Sequence, residues 1–374
     1  MLKGFYLTLM MGMGVPQAAP KAVVDALLSA EVTVSSGQRS GFQLTFGLSK
    51  LSLLNTTLLP NGYFDPPTRV ILTVTVNGTP HVVMDGVITR HTITPSSDPG
   101  KSTLIVIGED LSRMMDLADF SGLPYPGMPN EARIALILAK YAVLGIVPLI
   151  IPGVLINVPI PSKQIPQHQG SDLQYINRLA SEVGYVFYVE PGPQPGTNIA
   201  YWGPEIKFGA VQPALSINMD AQTNVDSLNF TFDGFSSTLY ELLIQIPETK
   251  QTIPIPIPDV TPLNPPLGQK IPLPLRVQRM PQAAKYTPLQ TAAIGLAEVA
   301  KSTDVITGSG SLDVLRYGQV LKARQLVGVR GTGSTYDGLY YVTSVTHSIK
   351  QGEYKQNFSL SRNAFISLQS RIPV

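Results

Sequence analysis

The sequence predicts a β-rich α+β protein made of two similar antiparallel β-barrel domains, an α/β insert, and a second insert that is proline-rich and then helical. Three observations carry this reading. Segments with strand periodicity, separated by turn residues, fill the first quarter and the last third of the chain. A stretch with helical periodicity lies between residues 119 and 214. A proline run beyond residue 249 rules out helix and disfavours a central strand. At 374 residues the chain exceeds what one core usually organises, so several structural units are expected.

Residues 1–20 form an N-terminal arm. Its apolar run is costly to leave in water, so the arm is expected to pack on another subunit or on the neighbouring barrel. Phe5, Leu7, Leu9 and Met11 are its candidate assembly-interface residues. Lys3, the apolar run and Ala18-Ala19 loosely resemble an export signal, but Pro20 sits where cleavage needs an unhindered peptide bond. Residues 21–118 form the first barrel. EVTVSSGQRSGFQLTF gives two strands around a Ser/Gly turn, and VILTVTV with TPHVVMDGVI gives a hairpin about Asn77-Gly78, a pair that supplies the positive φ angles of a two-residue turn. KSTLIVIGED follows and runs into a short helix from Asp110 to Leu117.

Residues 119–214 form the α/β insert. NEARIALILAKYAV reads as helix. In QGSDLQYINRLASEVG, Leu173, Ile176, Leu179, Ala180 and Val183 share one face, Ser171 and Gln174 have capping-box spacing, and Gly184 can take the left-handed exit conformation. YVFYVEP then returns to extended structure. The apolar run over 134–151 is interrupted by Lys140, Gly145 and Pro148 and reads as buried rather than membrane-spanning.

The second barrel is assigned to residues 215–248 joined with 303–374, with turns at Tyr336-Asp337-Gly338 and Gln351-Gly352. Between its two pieces, residues 249–302 hold an extended proline-rich connection, either a linker or a strap on a neighbouring subunit, and a helix beginning at Thr287 with Pro288 at its first position. The two strand-rich blocks show no residue-level repeat. Barrels in both would close their own edges.

Hydrophobic residues make up 44% of the chain and charged residues only 14%. Soluble domains usually carry about 25% charge, so much of this surface is expected to be covered by partners. With 27 basic and 25 acidic residues there is no general drive toward nucleic acid or anionic membrane. The absence of cysteine excludes disulfides, zinc thiolate sites and cysteine nucleophiles. His81, His91, His168 and His347 lack the spacing of a helical two-histidine metal motif.

No catalytic, cofactor-binding or metal-binding residue is expected. GVRGTGSTYDG lacks the Gly-Lys-Ser/Thr ending of a phosphate loop, and no G-x-S-x-G elbow is present. Asp337 with His347, and the carboxylates Glu109, Asp110 and Glu182, carry no identifying context. The single tryptophan, Trp202, suits a buried position better than a stacking platform. On composition, the rival to a structural protein is a secreted cell-wall hydrolase with an unrecognised carboxylate pair.

Four segments carry a family resemblance. EVTVSSGQRSGFQLTF, GVITRHTITPSSDPGKSTLIVIGEDLSRMMDL, GSDLQYINRLASEVGYVFYV and, most specifically, the run from LDVLRYGQVLKARQLVGVRG to YKQNFSLSRNAF resemble the phage tail baseplate hub family. That family includes the late-control D proteins and the hub portions of type VI spike proteins and of contractile injection systems. The resemblance implies a non-enzymatic homotrimeric ring in which each chain gives two similar barrels, so that a threefold spike is matched to a sixfold tail tube. It implies as partners the tube protein, a spike on a separate polypeptide and other baseplate components, without nucleic acid sequence recognition or stable membrane insertion. It places the protein in a virion tail or injection-particle baseplate, made in the bacterial cytoplasm.

Overall fold

Strand periodicity decides the larger part of the molecule. The structure is a computed structural model that describes residues 4–98, 101–153, 162, 165–245, 252–257, 265–280, 295 and 304–368. In the first block, β1 (Phe5–Gly12), β2 (Gln17–Ala18), the short helix α1 (Lys21–Ala26), β3 (Leu27–Ser35), β4 (Gly41–Gly47), β5 (Arg69–Val76), β6 (Thr79–Thr94) and β7 (Thr103–Asp110) follow one another. Alternation holds strictly in β4, where Phe42, Leu44 and Phe46 are buried while Gln43 and Thr45 are not. Asn77 and Gly78 take φ values of 50° and 85° and close the β5–β6 hairpin, pairing Val76 with Thr79, as the Asn-Gly signal predicts. Asp110 caps a 3-10 helix over Leu111–Asp116, its carboxylate accepting from the Ser112 amide.

The arm is part of the sheet. β1 runs antiparallel to β5 from Phe5 opposite Val76 to Gly12 opposite Arg69. Leu9 and Met11 are buried in the core of their own chain, and Phe5 and Leu7 pack partly buried against it. The four residues expected at an assembly interface therefore point inward, and the outward side of β1 carries Tyr6 and Thr8. The reason is the period of two: once β1 pairs with β5, its odd-numbered positions all face the core.

The insert has a separate core. Its helices α2 (Asn130–Ala139) and α3 (Asp172–Glu182) pack with the mixed sheet β8 (Ile146–Ile150), β10 (Asn198–Gly203) and β9 (Val186–Pro191), in that spatial order. Ile134, Ile137, Leu173, Ile176, Leu179, Val189 and Trp202 form the centre of that core. The predicted capping box is present. The Gln174 amide donates to Ser171 Oγ at 3.3 Å, and Gln174 Oε1 accepts from the Ser171 amide at 3.3 Å. Gly184 takes the left-handed exit at φ 72°.

The second strand-rich block comprises β11 (Val211–Ser216), β12 (Ser227–Phe232), β13 (Thr238–Gln245), β14 (Thr252–Pro256), β15 (Arg276–Met280), β16 (Ile306–Asp313), β17 (Leu326–Arg330), β18 (Gly338–Lys350) and β19 (Glu353–Arg362). Its main strands join the first block directly, because β18 pairs antiparallel with β3 from Ser344 opposite Ser35 to Lys350 opposite Ser29. The result is one 13-stranded sheet, ordered β12-β16-β19-β18-β3-β4-β7-β6-β5-β1-β2, with β17 and β11 branching from β18. One hydrophobic cluster, from Leu9 and Val32 to Val345 and Leu360, spans both blocks.

Two of the expected boundaries fall inside or beside other elements. The limit at 214/215 lies within β11, which pairs with β17 of the large sheet. β13, assigned by sequence to the second barrel, is the central strand of a separate three-stranded sheet between β14 and β15. Pro254 and Pro256 thereby sit on an edge strand, the position that tolerates a missing donor. Residues 265–270 of the proline-rich connection lie on the C-terminal segment of the same chain, with Lys270 bridged to Phe365 and the Gln269 amide donating to the Ile366 carbonyl at 2.9 Å. Of the helix expected from Thr287, Gly295 is among the described residues and is helical, and the rest lies outside them.

Candidate functional site

The titratable residues singled out by sequence are held apart in structural roles. Asp337 Oδ1 accepts from the amide and the hydroxyl of Thr332, both at 2.8 Å, and so folds the glycine-rich turn after β17 back on itself. His347 is buried in the core, where its Nδ1 lies 2.7 Å from the Tyr354 hydroxyl. Among the described residues the two share no hydrogen-bond partner. Glu109 pairs at 3.0 Å with Arg39, and the neighbouring Asp110 is buried, accepting from the Ser40 and Ser112 amides. Burial pushes the Asp110 carboxyl up, and those amides pull it back. Glu182 faces Arg178 at 3.7 Å along α3. Trp202 is fully buried with its ring against the edge of Tyr185. Among the described residues, no three His, Cys, Asp or Glu side chains converge as a metal site, and no helix is long and apolar enough to cross a membrane.

Burial sets the behaviour of His347. Desolvation, with the nearby His81 second, lowers its pKa to about 4, so the native state keeps the ring neutral where the unfolded chain would protonate it near 6.5. Its contribution to stability is complete above pH 6.5 and is lost as pH falls toward 4. The full effect is on the order of 3 kcal/mol. His347→Gln is expected to flatten the acid side of the urea-midpoint profile between pH 6.5 and 4. An unchanged acid limb would show that another group sets it.

Three arginines that sequence reading missed hold the parts together. Arg69 forms a two-pronged ion pair with Asp85, Nε and Nη2 donating at 2.7 Å each, and also donates to the Gly196 carbonyl of the insert. Asn198 of the insert donates to the same carboxylate at 2.8 Å. Arg324 lies 4.0 Å over the Tyr188 ring and donates to Glu190 of β9 at 3.3 Å and to the Ser35 carbonyl at the end of β3 at 2.8 Å. Arg362 is fully buried, and donates to the carbonyls of Asp337 and Leu267 at 3.1 Å each. The only sequence signal was a charged residue inside an otherwise strand-like run, as in TRVILTV and SLSRNAF.

The insert contains one further buried polar cluster. His168 and Asp172 are both fully buried, with His168 Nε2 3.6 Å from Asp172 Oδ1, while Lys140 and the Tyr141 hydroxyl meet Asp172 Oδ2. His168 stacks on Tyr175 at 4.3 Å. The cluster ties α3 to the turn after α2, and its enclosed histidine and carboxylate have no surface to offer a substrate.

The chain is thus a scaffold of sheets and clamps, and its fold is shared by solved structures. A 43 kDa tail protein of prophage MuSo2 from Shewanella oneidensis superposes with a TM-score of 0.64 at 14% identity, over 97% of this chain and 100% of that one. The chain has the fold of phage tail proteins. A tail protein from Neisseria meningitidis MC58 matches at a TM-score of 0.61 and 13% identity, over 96% of this chain and 97% of the other. This tail-protein fold is also present in the Escherichia coli c3393 protein, a type VI secretion component described as similar to the T4 tail proteins gp27 and gp5, at a TM-score of 0.53 and 12% identity, over 93% of this chain and 75% of that one. No family model and no curated protein sequence matches the chain. At these identities the likeness is one of fold, and fold alone does not fix function.

Proposed function

We propose that the chain is a structural baseplate hub subunit of a phage tail or a tail-derived injection machine. The observation that carries this reading is the match to tail proteins over nearly the whole chain, from the arm through the insert to the C-terminal strands. The scattered, structurally engaged titratable residues agree with a role that needs interfaces rather than chemistry.

In this reading three chains form a ring. Each contributes two similar barrels, the first from the block of β1 to β7 and the second from β11, β12 and β16 to β19, while the insert and the segment that carries β13, β14 and β15 lie outside. Six barrel surfaces then face a sixfold tube above, and a threefold spike docks below. A closed ring of three identical chains joins two different, mutually complementary patches of each chain, and interface cores are poor in charge, in keeping with the 14% charged composition. The arm strand β1 stabilises the barrel from within, and its outward side with Tyr6 is what it offers to a neighbour.

Native mass spectrometry and electron microscopy of the purified chain test this. The expected particle has three times the 40.3 kDa chain mass and a pseudo-sixfold outline. A monomer that cleaves peptidoglycan, or strand-rich blocks at unequal distances from the threefold axis, would overturn it.

A further inference from the structure

The two strand-rich blocks repeat one strand order. The first runs β3-β4-β7-β6-β5 across the large sheet, and the second runs β12-β16-β19-β18, with β17 beside β18. The repeat extends to single residues. β6 and β18 each carry one extra residue against their hairpin partners, Thr89 opposite β7 and Thr343 opposite β19. Beside these bulges the Ile88 amide donates to the Thr68 carbonyl, and the Val342 amide to the Gln325 carbonyl, both at 2.9 Å. With Thr89 set on Thr343, direct pairing carries the match across the ladder. His91 is followed by Val106, Leu44 and Ala30 in the first block. Val345 is followed by Phe358, Gly310 and Leu228 in the second.

Within the chain the blocks meet where β18 pairs with β3, with Ser344 opposite Ser35 and the Thr346 and Thr33 hydroxyls 3.1 Å apart. The repeat leaves the equivalent two edges without a strand among the described residues: β6 beyond its pairing with β5, and β12 on the side away from β16. Carrying the inner seam over to these edges sets Arg90 opposite Asp233, His91 opposite Phe232, Thr92 opposite Thr231 and Ile93 opposite Phe230. The side chains there suit a covering strand. Ile93 and Phe232 are 44% and 43% exposed. Arg90 and Asp233 are exposed as well, and among the described residues neither forms an ion pair, Asp233 accepting from the Phe235 amide. The two edges do not meet within one chain, but they are different surfaces of the same chain, so a second copy brings them together head to tail.

We infer that Arg90 of one copy and Asp233 of the next form an ion pair that sets the register of the seam between copies. The inference rests on the proposed ring and adds which side chains decide how its copies meet. The contrast with the inner seam supplies the reason. There both equivalent positions are serine, Ser344 and Ser35, because the two strands belong to one chain and need no selection. Separate chains must find one register among several. A slip by one residue turns every side chain to the wrong face, and a slip by two leaves both charges facing neutral partners. Until assembly, a charge on a bare strand edge also resists pairing with the wrong strand.

Because the chain has no cysteine, Thr92→Cys with Thr231→Cys probes the seam cleanly. Mild oxidation of the full chain is expected to link copies through these two positions, whereas Thr92→Cys with Ser227→Cys, further along β12 on the same face, is expected to stay unlinked. Charge is tested separately. Arg90→Asp and Asp233→Arg each oppose like charges across the seam and are expected to raise the concentration needed for assembly at least about tenfold at low salt, and the double exchange is expected to restore it. Sedimentation reads assembly, and circular dichroism shows that each variant is folded. Three results overturn the ion pair and leave the ring standing: single variants that assemble as well as the unsubstituted chain, a double exchange no better than either single variant, or a disulfide at position 227 in place of 231. An unsubstituted chain that stays monomeric overturns the ring and the ion pair together.

Discussion

Asp85→Ala is expected to destabilise the protein by about 3–5 kcal/mol, since removing one partner of a buried ion pair leaves the other charge unpaired. Asp85 is fully buried and Arg69 nearly so, with side-chain exposures of 0% and 8%. Without the carboxylate, the Arg69 guanidinium loses both short bonds, and Asn198 of the insert loses its acceptor. The double variant Arg69→Met/Asp85→Leu is expected to recover most of the loss, because apolar replacement removes both charges together. The urea midpoint reads both effects. A loss below about 1 kcal/mol for Asp85→Ala would mean that water reaches the pair. The pair also joins domains: it sits where the β5–β6 hairpin meets Gly196 and Asn198 of the insert, so the single variant should loosen the insert as well as lower stability.

Arg362→Met is expected to cost more than about 3 kcal/mol and to release the proline-rich segment. The guanidinium donates to the Tyr336 carbonyl at 3.4 Å as well as to those of Asp337 and Leu267, and lies 5.1 Å from the Tyr340 ring centroid. Methionine fills much of the volume but donates nothing, and each buried carbonyl left without a donor costs about 1–3 kcal/mol. Arg362→Lys should be only a partial rescue, since an ammonium cannot present the planar fork that serves three carbonyls. Asn363 holds the same segment through Leu267 and Pro265, with bonds of 2.8 and 3.1 Å. Limited proteolysis should therefore cut between residues 265 and 280 in Arg362→Met while the large sheet keeps its circular dichroism. Resistance to cleavage equal to that of the unsubstituted chain would show that Asn363 and the Phe365–Lys270 pairing suffice.

Local rules determined much of the chain by themselves. The strand-forming run VILTVTV, the alternation in GFQLTF, the positive-φ pair Asn77-Gly78, and the Ser171–Gln174 box each encode their element within a few residues, and each forms where the spacing places it. The apolar face of α3 was equally legible, because a 3.6-residue period needs no knowledge of what it packs against. What a segment pairs with is not local. Strand β1 reads as an arm until β5 offers it an open edge, and only that pairing turns Leu9 and Met11 toward their own core. β13 reads as another barrel strand, yet its partners are the proline-bearing β14 on one side and β15 on the other, neither of which belongs to the large sheet. Pairing between β3 and β18, strands some 313 residues apart in the chain at Thr33 beside Thr346, is equally a product of the tertiary fold. The buried arginines follow the same logic: a guanidinium in a strand is legible as a residue but not as a clamp, because its acceptors at Gly196, Ser35 and Leu267 come from elements that only the tertiary fold brings alongside.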